Sequence, residues 1–142
     1  MSLRAFVTLL CCVLAAPLQA QTLQLITDDE ARLPAMAGKP PSRAITRGPA
    51  VKLVSPDAVT VGFPLKVAFE PRGGSKIDPA SVRVEYLKGT GVDLTERVKA
   101  GIRPEGIEIA SAAAPAGLHP IRVSVRDSEG RVGIAEFTLT VK

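Results

Sequence analysis

From residue 51 to the end of the chain, apolar and polar side chains alternate in short runs broken by glycine, proline, serine and aspartate. A period of two puts every other side chain on the same face of an extended strand, so each run predicts a strand with one face buried and one wet. The clearest pair closes the chain. Ile121, Val123 and Val125 alternate with Arg122, Ser124 and Arg126, and Phe137, Leu139 and Val141 alternate with Glu136, Thr138 and Thr140. Between them Asp127-Ser128-Glu129-Gly130 has aspartate first and glycine last, as a tight turn favours. Leu65, Val67 and Phe69 predict an earlier strand and Val82, Val84 and Tyr86 another, with shorter ones over residues 51–54, 92–94 and 107–109. Asp78-Pro79-Ala80-Ser81 and Lys88-Gly89-Thr90-Gly91 read as turns. No stretch beyond residue 50 keeps a helical period. About seven short strands with turn signals between them predict an all-β fold of two packed sheets. Gly133 and Ala135 share the inward parity of Phe137, so the last strand must start in close packing or with a bulge.

The first fifty residues have a different texture. Arg4 precedes an apolar run over residues 6–16, Pro17 breaks it, and Ala20 is a small residue ahead of Gln21. That pattern predicts a secretory signal peptide over residues 1–20, cleaved near Ala20. The run is shorter than the roughly 20 apolar residues of a membrane span, and no later stretch approaches that length. Cys11 and Cys12 both lie in the leader and lack the small preceding residue that lipidation needs, so the mature chain is expected to hold no cysteine. Residues 21–50 carry Pro34, Pro40, Pro41 and Pro49 among Lys39, Arg43 and Arg47, which predicts an extended basic arm ahead of a sandwich over residues 51–142. Thr27 and Glu30 have capping-box spacing, with Asp28 and Asp29 in the first turn, so a short helix is expected before Pro34.

Charge and composition narrow the function. The net charge of +4 is dispersed among acids, and the only aromatic residues after the leader are Phe63, Phe69, Tyr86 and Phe137. Nucleic-acid binding, which pairs a basic face with stacking aromatics, is disfavoured. One histidine, His119, and no cysteine after the leader make a poor start for a metal centre or a catalytic triad, so no catalytic residue, cofactor or metal site is assigned and no enzyme is expected. Asp127 and Glu129 suit a turn better than calcium, which takes six to eight oxygens. Asp28, Asp29 and Glu30 suit a helix start better than a metal.

The segments Ile77-Asp78-Pro79-Ala80-Ser81-Val82-Arg83-Val84, Val92-Asp93-Leu94-Thr95 and Ala116-Gly117-Leu118-His119-Pro120-Ile121-Arg122-Val123, the last running into the Asp127 turn, resemble bacterial immunoglobulin-like β-sandwich modules of exported proteins. The resemblance covers residues 51–142 and implies a noncatalytic module in the periplasm or outside the cell. It places His119 where many such domains put a tyrosine bonded back to nearby backbone, a structural corner. A partner must then meet an outer surface. Arg83, Arg122 and Arg126 share outward parity on strands that should be neighbours, and they are the candidate binding face for a protein or an anionic envelope polymer, although Glu85 and Glu136 on the same face would pair with them. Arg43 and Arg47 in the arm are the other candidates, with residues 44–46 able to pair along a sheet edge or to serve only as a tether. The alternative is a small-ligand or metal-binding periplasmic carrier.

Overall fold

A computed structural model describes residues 21–37 and 47–142. In chain order its strands are β1 (Leu23–Gln24), β2 (Ala50–Leu53), β3 (Ala58–Val59), β4 (Phe63–Glu70) and β5 (Ile77–Tyr86). These are followed by β6 (Val92–Asp93), β7 (Ile102–Arg103), β8 (Gly106–Ala113), β9 (Gly117–Asp127) and β10 (Val132–Val141). Two short helices interrupt them, α1 (Asp28–Ala31) and α2 (Thr95–Val98). One sheet has the order β1-β8-β4-β2 with β7 also on β8, and the other runs β3-β10-β9-β5-β6. The first strand region changes sheets, β2 pairing antiparallel with β4 and β3 pairing parallel with β10. This is an immunoglobulin-like sandwich, as the alternation implies. The count of about seven strands grows because four of the ten are only two residues long, too short to leave a periodic signal.

The alternation sets the core. Leu65, Val67 and Phe69 of β4 face inward against Val84 and Tyr86 of β5 and Ile121, Val123 and Val125 of β9, all of them buried. The closing hairpin pairs without interruption from Val132↔Arg126 to Val141↔Gly117. Gly133 takes up its inward position because the chain crosses beneath it: a Cβ there would overlap the Pro49 carbonyl. Asp127, buried in the hairpin turn, accepts the backbone N–H groups of Glu129 at 3.0 Å and Arg131 at 2.9 Å through Oδ1. Gly130 supplies the positive φ of 78°.

Three expectations change. The residues ahead of the sandwich strands do run extended, with the helix where the capping box puts it: Glu30 N–H donates to the Thr27 hydroxyl and Thr27 N–H to the Glu30 carboxylate. They lie on the sandwich, however, rather than apart from it. β1 pairs parallel with β8, and Leu25 and Ile26 are fully buried in the core. The folded unit therefore begins well before residue 51, because two adjacent apolar residues followed by a helix cover an end of the core that no strand alternation records. Second, beyond residue 50 there is helix after all, α2 and the 3-10 turn Lys99–Gly101. One turn needs no period; Leu94 and Val98, four apart and both fully buried, hold it down while the Asp93 carboxylate accepts Thr95 N–H at 2.8 Å. Third, Asp78-Pro79-Ala80-Ser81 is no turn between elements but a bulge inside β5, where the register with β9 jumps between Asp78 and Arg83. Pro79 has no N–H to offer β9, and the Ser81 hydroxyl instead accepts the Arg126 N–H at 2.8 Å.

Candidate functional site

His119 stands at the start of β9 and is buried. Its Nε2 lies 2.6 Å from the Pro115 carbonyl, which can only accept, so Nε2 carries the proton. Nδ1 is then bare and accepts the Tyr86 hydroxyl at 3.0 Å. Burial holds the imidazole below its ordinary value and the Lys88 ammonium adds to this, while the Pro115 bond works the other way. Burial, with the Glu30 charge, pushes the Tyr86 hydroxyl up to about 12. Both ring nitrogens are thus engaged within the protein, and the bond to backbone four residues upstream is the corner that the family resemblance implies. Among the described residues no three His, Cys, Asp or Glu side chains gather closely enough to hold a metal ion.

Glu30 is not part of an acidic site either. Arg97 of α2 donates to both of its oxygens, at 2.8 and 2.6 Å, and to the Leu25 carbonyl at 2.9 Å. The Arg97 bond holds the Glu30 carboxyl at about 2, against the opposing effect of burial. Lys88 donates to the Ala31 carbonyl at 2.8 Å, and Met36 N–H to Leu87 O. Glu30, with these backbone bonds, fastens residues 22–36 to the sandwich.

The outer face of the second sheet can be read row by row from its register. Glu85, Arg122 and Glu136 share one row, with Asp93 of β6 beside Glu85. Arg122 bonds Glu136 at 2.6 Å and Glu85 at 3.2 Å and is held protonated mainly by Glu136. The next row is Arg83, Ser124 and Ile134, and the last is Asp78, Arg126 and Val132. Here the side chains are open. Arg83 reaches Asp93 only at 3.9 Å, with both ends solvated. Arg126 makes no side-chain ion pair among the described residues. Ile134 is 54% exposed and Val132 38%. Arg47 is exposed and precedes Gly48, whose backbone lies against Val132.

Of the sequence candidates, Arg83 and Arg126 meet at this corner, Arg47 enters beside it, and Arg122 is enclosed by acids. Arg43 and residues 44–46 lie outside the described residues. Ser124, Val132 and Ile134 were missed. The signal was there, since Val132 and Ile134 are apolar at the outward parity of β10, a break in the alternation.

Neither a protein-family model nor a curated protein matches the chain. Among solved structures it is similar to CopC from Methylosinus trichosporium OB3b, at 18% identity and a TM-score of 0.43, over 65% of this chain and 93% of that one. No helix among the described residues is long and apolar enough to cross a membrane.

Proposed function

We propose that the chain is an exported, noncatalytic immunoglobulin-like domain that binds another protein of the envelope or the exterior through the corner formed by Arg83, Arg126, Val132 and Ile134. One observation carries this reading: on a single sheet face, charge is segregated. In the Glu85–Arg122–Glu136 row the cation is enclosed by two acids, whereas the two rows beyond it present Arg83, which reaches only Asp93 at 3.9 Å, and Arg126, which makes no ion pair among the described residues, beside exposed aliphatic side chains. Arginine next to accessible apolar surface suits a protein partner carrying acids and aliphatic groups, because interface cores favour arginine and exclude water from apolar contact. The aliphatic half argues for a protein over a purely anionic polymer, which would gain nothing from Val132 and Ile134.

The test is recovery of a partner from the native envelope with the intact exported chain, compared with Ile134→Asp and Arg126→Glu. The reading requires one and the same partner to be lost or strongly reduced with both variants. Retention of every partner by both variants overturns it. A purified polysaccharide that displaces the partner would favour the polymer, and a rise in melting temperature with a metal or small ligand would favour a carrier.

A further inference from the structure

We propose that Ser124, flanked by Arg83 and Arg126, forms an oxyanion subsite that receives a side-chain carboxylate of the protein partner; this rests on the reading above. The sheet register puts Arg83 directly across from Ser124 on the neighbouring strand, and Arg126 two residues along β9 on the same outer face. Arg83 and Arg126 are therefore diagonal neighbours, about 7–8 Å apart along the sheet, and like charges so placed repel, with only Asp93, 3.9 Å from Arg83, to offset it.

The counterion expected beside Arg126 has been turned away. Asp78 is the cross-strand partner of Arg126, a position where opposite charges ordinarily pair. The bulge that follows Asp78 draws its carboxylate into the local turn instead, where Oδ1 accepts the Ala80 N–H at 3.0 Å. The Ser81 hydroxyl is likewise committed, donating to the Asp78 carbonyl at 2.6 Å while accepting the Arg126 N–H. What stays open is a depression of about 280 Å³ lined by Arg83, Ser124, Arg126 and Val132. Arg83 and Arg126 both contribute to its lining, the Arg83 guanidinium lying 3.9 Å from Asp93, and the Ser124 hydroxyl has no hydrogen-bond partner among the described residues. Guanidinium forks and a hydroxyl are the donors that a carboxylate accepts from most readily. Val132 on the rim suits the aliphatic stem of a glutamate or an apolar neighbour two residues along an extended chain.

The test uses the isotope-labelled exported chain and two synthetic peptides, acetyl-Val-Glu-Val-Glu-Val-amide and its twin with glutamine at both acids, with inorganic phosphate as a third arm. The acidic peptide should move the arginine Nε–H signals of Arg83 and Arg126 and the Ser124 amide in a saturable way, and raising the salt should weaken it. Arg126→Gln should weaken it about fivefold, the scale of one exposed charge contact. Equal binding of the glutamine twin overturns the subsite but leaves the partner reading in place, because that reading is tested separately by recovery of the native partner with Ile134→Asp and Arg126→Glu. No movement with either peptide also overturns the subsite. Phosphate moving the same signals at lower concentration than the acidic peptide overturns the carboxylate assignment in favour of a free oxyanion.

Discussion

The segment that residues 22–36 lay across the sandwich and the corner around Ser124 both centre on arginine, and they use it in opposite ways. Arg97 is two-thirds shielded, grips both oxygens of Glu30 and also reaches the Leu25 carbonyl. Arg126 has lost its cross-strand acid to a bulge and faces solvent. The difference lies in the neighbours. A carboxylate held by a capping box cannot turn away from Arg97, whereas Asp78 beside Pro79 finds a nearer donor in its own turn. Charge that the fold has matched contributes to stability, and charge left unmatched is available to something else.

The largest effect that bears on this contrast comes from removing the N-terminal segment altogether. Leu25 and Ile26 are fully buried, and truncating a large buried aliphatic costs about 2–5 kcal/mol each. Set against a typical folding margin of about 5–15 kcal/mol, a chain starting at Ala50 should show no cooperative unfolding transition by circular dichroism. A sharp transition within a few degrees of the intact chain would show that the segment is an accessory after all.

Next comes the buried corner. Tyr86→Phe leaves Nδ1 of His119 without a donor in a buried site, a loss of about 1–3 kcal/mol, and His119→Ala should lower the melting temperature further while partner binding survives. The imidazole is depressed from 6.5 by burial. Its contribution is therefore complete above pH 6.5 and declines as the pH falls below it, because the unfolded chain takes up the proton first. Melting temperatures from pH 8 to 5 should fall in the parent and flatten in His119→Ala; parallel curves would remove His119 from the acid response.

Much of this was legible in the chain. Strand alternation gives the sheets, and the parity of His119 gives its inward direction, because both depend on neighbours two residues apart. The capping box at Thr27 is equally local. What the chain conceals is contact between distant residues: nothing near Glu30 announces Arg97, 67 positions away, and nothing near Leu25 marks it as core. The outer face is the intermediate case. Parity places Arg83, Arg122 and Arg126 on one surface, but which of them is neutralised depends on register, and the register depends on a bulge whose Asp78-Pro79-Ala80-Ser81 sequence looks the same as a turn.

Glu30 sharpens the comparison through acid. Its carboxyl sits at about 2 in the folded chain against an ordinary 4.5, so its contribution is complete above pH 4.5 and is lost as the pH falls toward 2. For a pair this close to solvent, about 1–2 kcal/mol is the appropriate scale. Glu30→Gln should lower stability at pH 7 by that amount and remove the matching part of the slope between pH 4.5 and 2. An unchanged slope would mean that Arg97 holds the segment by its bond to the Leu25 carbonyl alone.

The smallest effect is the most telling. Arg126 makes no ion pair among the described residues, and its backbone N–H, which Ser81 accepts, does not depend on the side chain. Arg126→Gln should therefore leave stability within about 0.5 kcal/mol of the parent, or raise it slightly by relieving repulsion with Arg83, a gain that added salt should erase. Arg97→Gln, the same chemical change, should cost as much as Glu30→Gln or more, since it frees a carboxylate and a carbonyl together. Matched chemical denaturation of the two variants at low and high salt measures the contrast directly. If Arg126→Gln proves as costly as Arg97→Gln, the corner is part of the scaffold and its arginines are not held open for a partner.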